Sequence, residues 1–367
     1  MSDSPPNVYV RIEGGGRLSL RLLFLFALEV PMDIIIKSFN RPYYLERCLR
    51  SVYQFAQGNF RIRVLDDGTP PEYLARIAKL FPDVAVYTSP LYDAKVAALR
   101  AHVAGERPFD QRNIPTGLWL EHVAAGSEVF LLLEDDIWIT GPLLLDQIQR
   151  NMKLQHLDLV KISWLGNEDV ITGQKVPVGD LLEEIIPHIP LVSDLLILNR
   201  FGVRSTLKKL GLMRLVRNNF QLQLPVYTLY GVASAFFTKK YWLYLWAGGQ
   251  EHVDEVQQLQ KAGQWYKHCQ GRYAKSRTEL TKTSFITSTT NMYEGVGLDI
   301  FAFNYRLNEA WLHGQLDSMQ NFPEDFSQVY LGNILTASGD SRTDVAEWAK
   351  WIQKFKEQYL SFGCEVE

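Results

Sequence analysis

Three short polar clusters interrupt an otherwise apolar N-terminal half, and each stands at the end of an apolar run. "KSFNRP" (37–42) follows "DIII", "DDG" (66–68) follows "RIRVL", and "EDD" (134–136) follows "VFLLL". Adjacent carboxylates at a strand end repel unless a positive charge meets them. Hard divalent cations do this, and Mg2+ or Mn2+ commonly takes one or two carboxylates plus the phosphates of a substrate. A carboxylate such as Asp67 can accept from a base N–H or a ribose hydroxyl, and Gly68 beside it permits a tight turn and close ligand approach. Taken alone, Glu134, Asp135 and Asp136 read equally well as an acidic cap for a following helix. With the other two clusters at matching positions, a ligand site is the stronger reading.

The clusters converge only if the elements before them lie side by side. "MDIIIKSF" is a short β-branched run, and Tyr44 to Phe55 places Leu45, Leu49, Val52 and Tyr53 at helical spacing. "FRIRVLDDG" reads as a second strand and "PPEYLARIAKLFP" as a second helix with prolines in its first turn. "VAVYTSP" is a third strand, "YDAKVAALRAHVAG" a third helix ended by Gly105, and "TGLWLEHVAA" a fourth helix leading into the strand "EVFLLL". Strand and helix thus alternate four times, which predicts an α/β fold with a mostly parallel sheet covered by helices. In such sheets ligands bind outside the carboxyl ends of the strands, where all three clusters fall.

Beyond Pro142 the periodicity is less tidy. "LLLDQIQRNMKLQ" and "VDEVQQLQKAGQWY" predict helices, and "LDLVKISWLG" predicts a strand entering a loop. "VYTLYGVASAFFTKKYWLYLW" predicts strand then helix, and "SFITSTTNMYEGVGLDIF" strand then loop. "TDVAEWAKWIQKFKEQYL" predicts a closing amphipathic helix with Val345, Trp348, Ile352 and Phe355 on one stripe. The division expected is an N-terminal extension over 1–31, a ligand-binding half over 32–145, a second half over 146–320 and a helical tail over 321–367, the two halves being lobes of one compact unit.

The bulk numbers narrow the classes. A chain of 367 residues that is 47% hydrophobic can bury a large core. A net charge of −3 gives no general case for nucleic-acid binding. Cys48, Cys269 and Cys364 are widely separated and odd in number, without metal-type spacing, so a reducing cytoplasm is the simplest setting. Residues 1–31 are turn-rich and carry the apolar run "LRLLFLFALEV", too short for the roughly 20 residues of a membrane helix. They read as a disordered or non-native extension ahead of Met32, with a peripheral contact at the inner face of the membrane as the alternative. "RFGVRSTLKKLGLMRLVR" (200–217) holds six basic residues and no acid, which suits an anionic acceptor, a lipid-linked phosphate or a simply solvated helix face.

"DIIIKSFNRPYYLERCLRSVYQF", then "FRIRVLDDGT", then "LLLEDDIW" resembles the GT-A glycosyltransferases, particularly the family 2-like inverting enzymes. The likeness is dense over 32–90 and 129–142 and thin elsewhere. It implies a GT-A (Rossmann-like) fold with an acceptor-binding lobe and a C-terminal helix. It also implies transfer of a sugar from a nucleotide-diphosphate donor, UDP-sugar favoured, to a glycan or glycolipid acceptor. Inversion, dependence on Mn2+ or Mg2+, and a place in surface polysaccharide or glycolipid assembly follow from the same likeness. Ser38, Asn40 and Arg41 would line the nucleotide pocket and Asp67 would meet the base. The "EDD" triplet would be this chain's DxD motif, with Glu134 and Asp135 on the nucleotide side, Asp135 facing the ribose, and Asp136 holding the metal. Arg100 falls where the family often has a phosphate-side arginine, although the usual glycine-rich turn before it is missing.

Inverting transfer needs a base that deprotonates the acceptor hydroxyl as it attacks. In related enzymes a W-D-Y-Q-like segment follows an aromatic strand and helix. Here "VDEVQQ" follows "YGVASAFFTKKYW", which makes Asp254 the expected base with Glu251 and Glu255 as rivals. The C-terminal metal-binding histidine of many such enzymes has no clean match; Asp299 in "GVGLDI" and His313 are the candidates. Trp164 and Asn167, after a strand entering the cleft, are candidate acceptor contacts.

Two other readings compete. A sugar-nucleotidyltransferase would carry a G-x-G-x-R loop after the first strand, and "KSFNRP" has no glycine. A catalytically inactive GT-A-like binding module would have little reason to keep the acidic triplet. Walker, G-x-G-x-x-G and H-E-x-x-H patterns are missing from the sequence, against kinases, dehydrogenases and zinc peptidases. Oligomeric state is not legible.

Overall fold

The computed structural model describes residues 9–11, 17–19, 30–111, 113–212, 220–248 and 255–366. The chain divides into two units, residues 1–31 and residues 32–367. In the first, Tyr9–Arg11 pairs antiparallel with Arg17–Ser19. The second holds the sheet and the polar clusters.

The N-terminal half of that unit follows the sequence pattern closely. Strand β1 (Met32–Ser38) leads to helix α1 (Pro42–Phe55), β2 (Phe60–Asp66), α2 (Pro71–Leu80), β3 (Ala85–Thr88), α3 (Tyr92–Val103), α4 (Thr116–Ala124) and β4 (Val129–Glu134). After a short strand β5 (Ile137–Ile139) come α5 (Leu145–Gln155), β6 (Leu159–Lys161) and the hairpin β7 (Gly173–Val178) and β8 (Leu182–Pro187). Then follow β9 (Ala235–Thr238), α6 (Lys239–Trp246), α7 (Glu255–Cys269), β10 (Tyr273–Ser276) and β11 (Thr281–Thr283). Helices α8 (Ile300–Leu312), α9 (Gln328–Ser338) and α10 (Val345–Leu360) complete the described chain.

Nine strands form one sheet in the order β7-β8-β10-β6-β9-β4-β1-β2-β3. Strands β8 and β9 run antiparallel to their neighbours, and the other seven share one direction, so the expected mostly parallel α/β sheet is present. Strands buried on both faces need apolar residues at every position. Accordingly Ile34 and Ile36 enter one core with α1, α8 and α10, while Ile35 enters the opposite core with α4, α6 and α7. Leu131 and Leu133 of β4 join the first core, and Phe130 and Leu132 the second. Burying each such side chain contributes about 1.5–3 kcal/mol, which fixes the register of the strands that carry the polar clusters.

Three elements differ from the sequence expectation. The strand predicted within "SFITSTT" lies just upstream, at Thr281–Thr283, and residues 284–299 form a loop. Its hydroxyl side chains bond locally to the backbone, as Ser284 does to the Ile286 N–H and Ser288 to the Asn291 N–H, which competes with a strand ladder. Helix α8 leaves no clean apolar stripe in the sequence because it is buried on most sides, Asn304 and Asn308 included, between α1 and the C-terminal helices. The β7–β8 hairpin has half-exposed, charged strands without clean alternation. The closing helix does form, and its indoles reach the loop: Trp348 donates to the Ile286 carbonyl (2.8 Å) and Trp351 to the Asn291 carbonyl (2.9 Å). The C-terminal tail thereby holds a loop at the carboxyl rim of the sheet.

Candidate active site

The ends of β1, β2 and β4 lie side by side because β1 is the central of the three, paired parallel with both. At the end of β2, Asp66 is fully buried and accepts from the Gly68 N–H (3.0 Å), the Thr69 N–H (2.7 Å) and the Thr69 hydroxyl (2.6 Å). That turn frees the next carboxylate, Asp67, to face outward. Gly68 has φ +135°, and a Cβ there would stand 2.9 Å from Lys95 and 3.1 Å from Phe39, so the turn requires glycine.

These rims open on a cavity of about 670 Å3, within the size range of small-ligand sites. Lys37, Ser38, Phe39 and Arg41 line it from the end of β1, Asp67 from β2, Lys95 from α3, and Glu134 and Asp135 from β4. Trp119, Trp246, Glu255 and the loop residues Thr289 to Met292 also line it, with the Lys37 ammonium over the Trp119 ring at 4.9 Å. Four cavity-facing carboxylates each have a stated partner. Lys37 pairs with Glu134 at 2.6 Å, and Lys95 pairs with Asp67 and also donates to the Asn113 carbonyl. Tyr227 donates to Glu255 (2.5 Å), and Arg41 donates to Asp135 (2.5 Å).

Arg41 also donates to Asp136 (2.9 Å), so one guanidinium bridges both aspartates of the triplet. The second Asp135 oxygen accepts from the Phe39 N–H (2.9 Å). Asp136 is not on the cavity wall; Arg41 joins it to that wall. With both carboxylates ionised, the three groups carry one excess negative charge in a poorly hydrated place. Burial pushes Asp135 up to about 7 despite Arg41, and Asp136 also rises through burial. The cluster is therefore short of positive charge. No group of three or more His, Cys, Asp or Glu among the described residues could hold a metal ion by itself. Two adjacent carboxylates short of a cation nevertheless fit a hard dication whose remaining ligands come from a diphosphate and water. Asp136, with Asp135 beside it, would hold it.

The other candidates occupy varied places. Asn40 is buried behind the cavity with φ 53°; its N–H donates to the Thr69 hydroxyl (2.8 Å), and Asn308 donates to its carbonyl and side-chain oxygens. Arg100 lies on exposed α3, paired with Glu72 at 2.7 Å, and lines a separate cavity with Asn40. Asp299 caps α8, accepting from the Phe301 and Ala302 N–H groups, and bonds His102 at 2.9 Å. His313 is exposed at the other end of the same helix, with Glu309 at 3.8 Å. The 13 residues of α8 separate Asp299 and His313 by roughly 20 Å, so the two cannot serve one ion. Trp164 is buried against Ile171 and Ile185 with Lys275 over its ring, and Asn167 donates to the Phe362 carbonyl. Neither lines the main cavity. Glu251 and Asp254 lie outside the described residues.

Sequence reasoning passed over Lys37, Lys95, Trp119 and Trp246. Lys95 did leave a signal: it stands with Ala98 and Leu99 on the apolar stripe of α3, where a lysine is costly unless a carboxylate meets it. Burial raises Asp67 to about 6, partly offset by Lys95.

Among solved structures, the chain is similar to TarS residues 1–349 of S. aureus in complex with UDP, at 13% identity, covering 85% of this chain and 73% of that one, with a TM-score of 0.40. It is also similar to glucosyl-3-phosphoglycerate synthase from Mycobacterium tuberculosis in complex with Mn2+, UDP and glucosyl-3-phosphoglycerate, at 12% identity, covering 84% and 88%, with a TM-score of 0.39. No residue role here rests on those distant likenesses. No curated protein matches. Residues 33–104 match the model of glycosyl transferase family 2, and this stretch runs from β1 through α3, carrying Arg41, Asp67 and Lys95. The match spans the first three strands of the mostly parallel sheet and ends before the "EDD" triplet, so the likeness to glycosyl transferase family 2 belongs to this segment.

Proposed function

We propose that the protein moves a sugar from a nucleoside-diphosphate donor, a UDP-sugar by preference, to a hydroxyl of a glycan or glycolipid acceptor with inversion. The observation that carries this reading is one cavity lined together by Asp67 with Lys95, Lys37 with Glu134, Arg41 with Asp135, and Glu255. Asp67 suits the base or ribose, while Lys37 and Arg41 suit the diphosphate. Trp119 and Trp246, in edge contact at 5.3 Å, give the sugar side an apolar wall.

Glu255 is the base that this geometry supports. Its carboxylate takes the acceptor proton while the hydroxyl oxygen attacks the anomeric carbon, and the bond to the diphosphate breaks with its electron pair leaving on phosphate. Lys37 and Arg41 meet the charge that develops there. A bound Mn2+ or Mg2+ supplies further neutralisation of that leaving group. Surface polysaccharide or glycolipid assembly suits such chemistry, and three free cysteines fit a cytoplasmic setting. No described helix is long and apolar enough to cross a membrane.

Calorimetric titration of UDP and GDP, with Mn2+ or with EDTA, into wild type and Asp136→Ala tests this proposal. Metal-enhanced binding of one nucleotide that the variant loses is the expected result. A well-folded protein that binds neither nucleotide in the presence of metal would leave the fold as a binding scaffold without donor chemistry.

A further inference from the structure

The least ordinary surface of the molecule lies away from the cavity, over residues 191–212. Two short helices, Leu191–Leu196 and Val203–Lys209, pack on the turn between them. In that turn Asn199, Phe201 and Gly202 all take left-handed backbone angles, of 57°, 56° and 70°. Phe201 is 82% exposed, more than any other large apolar side chain among the described residues. Leu210 (65%), Leu191 (62%), Val192 (50%) and Leu212 (44%) are exposed in the same segment.

Cations accompany these apolar groups. Arg204 and Lys208 stand four residues apart on the second helix and share a face, with Lys209 adjacent and exposed. The sequence from 200 to 217 holds no acid. The nearest acid in sequence, Asp194, is already met by both Arg200 and Lys267. Arg204 is half-buried and donates to the Leu196 carbonyl (3.2 Å), while Lys208 and Lys209 meet no carboxylate among the described residues. Exposed apolar side chains beside such cations are the pattern of an interfacial surface, not of a solvated helix face.

The partner must satisfy both features. A polyanionic glycan would use the cations and leave Phe201 and the leucines wet. A second copy, packed through a two-fold axis, would bring basic patch against basic patch. A bilayer with anionic headgroups satisfies apolar and basic groups together. We propose that segment 191–212 docks this protein on an anionic lipid surface, with Phe201 and Leu210 entering the headgroup region and Lys208 and Lys209 meeting lipid phosphates. This docking is independent of the transfer chemistry.

Cosedimentation of the full chain with vesicles of phosphatidylcholine, with or without phosphatidylglycerol, tests it. Wild type is expected to pellet with the phosphatidylglycerol vesicles at about 0.1 M salt and to be released toward about 0.5 M. Lys208→Gln with Lys209→Gln is expected to weaken partitioning roughly twenty-five-fold, from two headgroup contacts of about fivefold each. Phe201→Ser with Leu210→Ser is expected to weaken it about tenfold or more, through lost apolar burial. All four positions are exposed, and unchanged circular dichroism and melting would show that the variants fold. Three results would overturn the proposal. These are no binding of wild type to phosphatidylglycerol vesicles, binding that both double variants retain in full, or light scattering in which the Phe201 and Leu210 variant dissociates a dimer while vesicle binding is unaffected.

Discussion

Replacing Arg41 by Met tests whether Asp135 and Asp136 form a site short of positive charge. The side chains of Arg41, Asp135 and Asp136 are 7%, 2% and 15% exposed. At 2.5 and 2.9 Å each pair gains roughly 6 kcal/mol of Coulomb energy at an effective dielectric constant of about 20. Most of that offsets the cost of taking the charges out of water, and removing one partner of such a buried cluster costs about 3–5 kcal/mol. Over residues 32–367 an unfolding entropy of about 2.1 cal/mol/K per residue sums to roughly 0.7 kcal/mol/K, so the variant should melt about 4–7 °C below wild type in EDTA. Mn2+ at about a hundred times its dissociation constant returns about 2.7 kcal/mol, or roughly 4 °C. Differential scanning calorimetry of wild type, Arg41→Met and Arg41→Met with Asp136→Ala, each with EDTA and with Mn2+, reads both effects. A variant that melts with wild type in EDTA would refute the charge accounting. An Mn2+ shift equal in all three proteins would refute the assignment of the cation to Asp136.

Three further substitutions test the site assignments. Glu255→Gln keeps an acceptor for the Tyr227 hydroxyl but removes the base, so turnover should fall about 10²–10⁴-fold while UDP affinity changes little; steady-state kinetics with parallel nucleotide titration decides, and a fall below tenfold would move the base elsewhere. Burial raises Asp67 from about 4 to about 6, so its contribution to folding stability is fullest below about pH 4 and is lost as pH rises through about 6. Nucleotide contact runs the opposite way, because an accepting carboxylate must be ionised: UDP affinity should drop about tenfold per pH unit below about 6, and Asp67→Asn should flatten that profile. Arg100→Ala removes an exposed pair with Glu72 worth at most about 1 kcal/mol, and its UDP affinity should match wild type; a loss of tenfold or more would bring Arg100 to the phosphates.

Much of this molecule is local in origin. The run from Met32 to Glu134 alternates strand and helix with boundaries close to those read from periodicity, because each element carries its own apolar pattern and its own start or stop signal, as Pro71 opens α2 and Gly105 follows the end of α3. That pattern sets "KSFNRP", "DDG" and "EDD" at strand ends, and parallel pairing puts strand ends on one rim. Tertiary structure decided the rest. Only packing across the sheet reveals that Arg41 spans Asp135 and Asp136, that Lys95 meets Asp67, and that Asn40 is tied to Asn308. The cavity's lining joins residues more than a hundred positions apart, from Trp119 to Glu255 and Thr289, and Trp348 and Trp351 hold its loop from the other end of the sequence. A sequence fixes local backbone preference and burial period, since both act over a few residues. Which charges neutralise one another depends on distances that arise only when separate elements share a core.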